Sequence, residues 1–143
     1  MFDTIKERIK KHEGFRDTIY KDSLGKMTIG WGHLVTPQDR LIENVQYSKE
    51  FLNNLFEKDF QKAYDEAEDL LKEINIVDEV AGVIIEMVFQ LGKQGVSKFK
   101  KMFEALAKQD YESAAKEMLS SAWAKQTPER CQELSSLVNN CQN

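Results

Sequence analysis

The stretch HEGFRDTIYKDSLGKMTIGWGH, residues 12–33, decides how this 143-residue chain folds. Upstream of it, Phe2, Ile5 and Ile9 recur at helical spacing, and Gly14 supplies the left-handed residue that closes a helix. Glu13 therefore falls in the last turn. The helix macrodipole is negative there, which disfavours a charged carboxylate and favours the protonated form that a general acid requires. Beyond Gly14, the β-branched and aromatic residues Thr18, Ile19 and Tyr20 predict one strand, and Met27, Thr28 and Ile29 predict a second. Between them Asp22-Ser23-Leu24-Gly25 has turn chemistry, with Asp at the first position and Gly at the fourth. Asp22 is expected at a solvated hairpin end, ionised.

Two carboxyl groups in unlike environments suit the cleavage of a glycosidic bond. One is kept protonated for the leaving oxygen, and the other is charged and acts on the opposite face of the sugar. Thr28 adds a hydroxyl able to orient an attacking water. Taken singly, Glu13 reads equally as a surface helix end, Asp22 as an ordinary turn residue and Thr28 as a strand former. The chemistry needs all three together.

Working outward, Thr36-Pro37-Gln38-Asp39 predicts a short helix after the hairpin, with Pro at its first position. Ser48 can cap the next. From Leu52 through Phe56, Asp59, Phe60, Ala63, Ala67 and Leu70 to Ile74 an apolar stripe predicts one long helix over residues 48–74 that connects two lobes. Asp59 lies on that stripe, where a lone charge is costly, and His33 is its natural partner, with its pKa raised by the pair. Asp78 is expected to cap a helix, apolar almost all round, that runs through the core to Phe89 and Gln90 and is stopped by Gly92. Phe89 suits core packing and substrate contact alike, whereas the Gln90 amide needs a hydrogen-bonding task. Phe99 to Leu106 and Ala114 to Leu119 give two further amphipathic segments, the second capped by Asp110. Thr127-Pro128-Glu129 opens the last helix and puts Arg130 in its first turn, where a cation calls for an acidic partner. Trp123 reads as core. Trp31, between two glycines, can either offer its ring to a sugar or close the core of the small lobe.

Composition sets the outer bounds. The chain is 41% hydrophobic and 31% charged with a net charge of −4, which suits one soluble domain and leaves no basic footprint for nucleic acid. No segment approaches the roughly 20 apolar residues that span a bilayer, and the charged N-terminus has no apolar signal core. Neither nucleotide loops nor clustered metal ligands occur, so no cofactor is expected. His12 and His33 are too few for a zinc site. Cys131 and Cys141 on one helix would lie about 15 Å apart, too far to bond, and are expected as free thiols.

The order Glu13, Asp22, Thr28, followed by IGWGH at 29–33, resembles the catalytic signature of the T4-type phage lysozymes, the endolysins of glycoside hydrolase family 24. Downstream, MVFQLG at 87–92 and WAKQTPER at 123–130 resemble the C-terminal lobe of the same family. The likeness covers most of the chain and is weakest at about residues 36–55 and over the last few. It implies a mostly α, α+β fold of two lobes. Residues 14–50 form a small hairpin lobe, residues 1–13 and 75–143 a helical lobe, and the sugar chain binds between them. It implies a muramidase that hydrolyses the β-1,4 bond between N-acetylmuramic acid and N-acetylglucosamine in peptidoglycan. Glu13 is then the general acid, while Asp22 and Thr28 position water for a single displacement with inversion. Phe89, Gln90 and, by its place, Trp31 are the expected substrate contacts. Arg130 pairs with Glu13, and His33 pairs with Asp59. A monomer is expected, held in the host cytoplasm until a holin releases it to the wall in the periplasm. A lytic transglycosylase using Glu13 alone and a catalytically silent wall-binding domain remain the alternatives.

Overall fold

The structure, a computed structural model, describes residues 2–141. Among them the fold is mostly α, with seven α-helices and one small antiparallel sheet, the α+β class expected. The chain divides into two compact units, Met1–Lys62 and Ala63–Asn143. Their boundary falls inside the longest helix.

In the first unit, α1 (Phe2–Glu13) buries Ile5 and Ile9 and ends as its sequence dictates. Gly14 takes φ +73°, and its N–H donates to the Lys10 carbonyl at 3.0 Å, closing the last turn behind Glu13. Strands β1 (Arg16–Lys21), β2 (Met27–Gly30) and β3 (His33–Leu34) form the sheet in that order, with β2 central. Tyr20 lies opposite Thr28 across β1 and β2, and Ile29 opposite His33 across β2 and β3. The third strand, only two residues long, carries no periodicity that a sequence could show. The expected helix after the hairpin is a single 3-10 turn, Pro37–Asp39.

Helix α2 (Lys49–Leu71) begins where Ser48 Oγ accepts the Phe51 N–H at 3.1 Å, as its capping chemistry requires. It ends at Leu71, three residues short of the expected Ile74, whose N–H turns back to the Leu71 carbonyl. Within the first unit α1 packs on α2. Phe2 meets Phe60 edge to face at 6.2 Å, and Lys6 and Lys10 bind Glu57 and Asn53, each at 2.7 Å. Residues 1–13, expected to group with residues 75–143, thus fall in the unit that holds the sheet.

The second unit is helical. Helix α3 (Asp78–Ser97) buries Val80 and the whole run from Gly82 to Val88, the burial on all sides that its apolar sequence predicts. Asp78 is its first residue and not its cap; that place is taken by Val77, whose N–H is met instead by the Tyr111 hydroxyl at 3.2 Å. Gly92, with φ +79° and ψ 160°, interrupts the helix after Gln90, and a further stretch runs on to Ser97. Helices α4 (Lys100–Ala107), α5 (Tyr111–Leu119), α6 (Ala122–Gln126) and α7 (Pro128–Asn139) complete the unit. Helix α5 packs on α4 and α7, and α7 packs on α3. Asp110 caps α5 through the Ser113 N–H, and Pro128 opens α7, both as the sequence predicts. Cys131 is buried, Cys141 half-buried, and both are free thiols. No helix among the described residues is long and apolar enough to cross a membrane.

Candidate active site

Glu13, Asp22 and Thr28 belong to the same unit, and the β1–β2 hairpin holds the last two. Asp22 Oδ1 accepts the Leu24 N–H at 2.9 Å and the Lys26 N–H at 2.8 Å, while its backbone carbonyl accepts Gly25 N–H at 2.9 Å. Both side-chain bonds end on one oxygen. The turn thus fixes the direction of the carboxylate without consuming its second oxygen. Thr28, on the central strand, is 5% exposed, and its hydroxyl donates to the Lys26 carbonyl at 3.0 Å. With its proton committed there, Thr28 Oγ1 faces any other partner as an acceptor, the sense needed to hold a water by its hydrogen.

Tyr20 connects the two acids. It is the cross-strand neighbour of Thr28, so the two side chains share a face of the hairpin, and the Arg16 guanidinium stacks 4.6 Å above its ring. Burial, and then the negative charge of Glu13, push its phenol above the ordinary value. Arg16 opposes the shift and Asp22 adds to it. Both carboxyl charges therefore reach one phenol, that of the cross-strand neighbour of Thr28. Glu13 is half-buried at the end of α1, and its carboxyl lies against the bare Cα of Gly32.

The supporting residues fall into place with some corrections. His33 Nδ1 meets Asp59 Oδ2 at 2.7 Å, the expected pair, and its Nε2 meets Asp39 Oδ2 at 2.9 Å, a second pair that the sequence did not suggest. Both ring nitrogens face carboxylates, which requires both to donate, so the ring is an imidazolium. The bond to Asp59 raises the His33 pKa to about 9 against the opposing effect of burial, and the bond to Asp39 adds to the rise. Asp39 in turn lies below its ordinary value. Partial burial works against this, and the Thr36 N–H and the His33 ring outweigh it. Trp31, expected at the substrate, is instead core. It is 8% exposed, packed 4.6 Å from Phe15 and 6.0 Å from Phe56, with the Lys10 ammonium 4.2 Å above its ring. Of its two possible tasks it performs the second, because an indole flanked by aromatics and a cation gains more from burial than from exposure.

In the second unit Gln90 and Phe89 are half-buried on the turn of α3 that precedes Gly92. The task that the Gln90 amide required is visible. Its Oε1 accepts the Trp123 indole N–H at 3.0 Å, and its Nε2 donates to Thr127 Oγ1 at 3.2 Å. Arg130, 8% exposed at the start of α7, donates from Nε to Glu86 Oε2 at 2.9 Å. Glu86 is fully buried. Glu86 on α3 is thus one acidic partner of Arg130.

A family model described as phage lysozyme matches residues 10–142. The chain belongs to the phage lysozyme family. Membership makes it a glycoside hydrolase of the lysozyme type, a muramidase whose substrate is peptidoglycan. Its relatives include two proteins of Dictyostelium discoideum, named probable T4-type lysozymes 1 and 2. The first is 32% identical, over 96% of this chain and 95% of that protein, and the second 30% identical, over 91% and 90%. The pre-baseplate central spike protein Gp5 of Enterobacteria phage T4 is 27% identical over 94% of this chain, which spans 27% of that longer protein. Against this lysozyme's geometry, four residues escaped the sequence: Tyr20, Gly32, Asp39 and Glu86. A signal existed for Glu86, a carboxylate in the apolar middle of a helix, and for Tyr20, an aromatic two positions before the turn residue Asp22.

Proposed function

We propose that this phage lysozyme is an endolysin that lyses a bacterial host by inverting hydrolysis of the β-1,4 bond between N-acetylmuramic acid and N-acetylglucosamine. Glu13 donates its proton to the leaving glycosidic oxygen as the bond from that oxygen to the anomeric carbon breaks. Water, held by Thr28 and deprotonated by Asp22, adds to the anomeric carbon from the opposite face. The proton taken up by Asp22 and that lost by Glu13 are exchanged with solvent before the next turnover. Phe89 and Gln90 contact the glycan.

The observation that supports this reading is the hairpin itself, which carries a turn-locked carboxylate at Asp22 and an acceptor hydroxyl at Thr28, with the Glu13 carboxyl beside the next turn at Gly32. The enzyme works as a monomer in this proposal. It waits in the host cytoplasm and reaches the wall when a holin opens the inner membrane. Mass spectrometry of digested peptidoglycan tests the chemistry. Reducing N-acetylmuramic acid ends are expected. Anhydromuramyl ends would replace hydrolysis by a transglycosylase reaction, and an undigested sacculus would leave only a wall-binding role. Expression in host cells with and without a co-expressed holin tests release, with lysis expected only in the first.

A further inference from the structure

Five glycines of the described chain, Gly14, Gly25, Gly30, Gly32 and Gly92, have positive φ, and a side chain at each would be strained by the backbone alone. They differ in what a side chain would meet. At Gly14, Gly25 and Gly92 a Cβ would find nothing within 4 Å, and at Gly30 it would make an ordinary 3.5 Å contact with Leu52. At Gly32, φ +72°, it would lie 2.5 Å from Glu13 Oε1, 2.9 Å from Cδ and 3.1 Å from Cγ. The space next to that Cα is filled by the carboxyl group of Glu13.

We infer that Gly32, in the turn between β2 and β3, is a positioning residue for the general acid, its bare Cα being the surface that fixes where the Glu13 carboxyl lies. The inference rests on Glu13 being the acid. Two constraints converge on Gly32, one from the turn, which needs the left-handed backbone, and one from Glu13, which needs the empty space. Only the second concerns catalysis. The displaced group would be the free end of a flexible side chain, so it would swing aside before the fold gave way. The loss would therefore appear in rate rather than in stability. A displacement of the reacting group by about 1 Å can cost on the order of 100-fold in rate.

The test uses Gly32→Ala, with Gly25→Ala as the measure of backbone strain alone. On soluble, uncrosslinked glycan strands, Gly32→Ala is expected to lose on the order of 100-fold in kcat with KM within about twofold of wild type. Its Tm should fall by about as much as that of Gly25→Ala. A kcat within twofold of wild type would overturn the inference. Should Gly32→Ala fail to fold, the double variant Glu13→Ala/Gly32→Ala decides by thermal melt. Removing the carboxyl should restore a cooperative transition, and an equally unfolded double variant would overturn the inference. Glu13→Gln separates the two levels of the reading. If it keeps wild-type activity, the assignment of the acid fails; if it is inactive while Gly32→Ala is fully active, only the role of Gly32 fails.

Discussion

Thr28 has its hydroxyl proton committed to the Lys26 carbonyl, so its oxygen can hold a water only by accepting, and replacing it isolates that one function. Thr28→Val, nearly isosteric, is expected to lower kcat by about 10- to 100-fold, within the range of positioned proton-transfer and water-orienting groups. The same change should cost only about 1 kcal/mol of stability, the net worth of one hydrogen bond. Thr28→Ser should retain most of the activity. Steady-state kinetics with urea unfolding would show both effects, and a Thr28→Val enzyme as active as wild type would remove Thr28 from the mechanism. At this scale the backbone places of Glu13 and Asp22 were legible, because cap and turn chemistry ties them to a helix end and a hairpin end. Gly32 was not legible, since its importance lies in what occupies the space beside it, and no sequence shows that. Trp31 was undecidable in advance because the same ring suits a sugar face and a core; the neighbours Phe15, Phe56 and Lys10 make it core.

Among the elements, the His33 cluster joins β3, the 3-10 turn and α2 through one imidazolium between Asp39 and Asp59. The folded pKa of His33, about 9, lies above its ordinary value of 6.5, so folding favours the protonated ring. Its stabilisation is fully present below the ordinary value and is lost as pH rises through about 9. Denaturant unfolding from pH 6 to pH 10 is expected to show wild type losing on the order of 2 kcal/mol relative to His33→Asn. Parallel pH profiles would contradict the ion-paired assignment. In the second unit, Asp110→Ala removes the side-chain cap of α5 and is expected to lower stability, read from the same unfolding curves. Helices were the most legible elements, since a stripe repeated over several turns is hard to imitate. Their ends were less so. Asp78 has capping chemistry, yet Val77 takes the cap position, its N–H held by the Tyr111 hydroxyl from a distant element.

For the molecule as a whole, two charge features dominate, one buried and one on the surface. Glu86 and Arg130 form a pair that water barely reaches, so removing one partner breaks a charge-assisted bond in a dry interior. Glu86→Ala is expected to cost about 3 to 5 kcal/mol, while Glu86→Leu/Arg130→Met should cost far less. Thermal melts of the two variants would distinguish them, and equal losses would contradict a charge-based origin. The net charge of −4 opposes approach to an anionic wall. Raising ionic strength from about 0.01 M to 0.15 M, which shortens the screening length from roughly 30 to 8 Å, should therefore speed digestion of whole sacculi. The long helix α2 was legible from its apolar stripe. The pairing of Arg130 with Glu86 was not, because it joins residues 44 positions apart. Whether Glu13 is the proton donor for glycan hydrolysis is read by counting reducing ends released from purified peptidoglycan by wild type and by a folded Glu13→Gln variant. Steady release by wild type and a release by the variant slower by at least about 100-fold are expected, whereas equal release by both would remove Glu13 from that role.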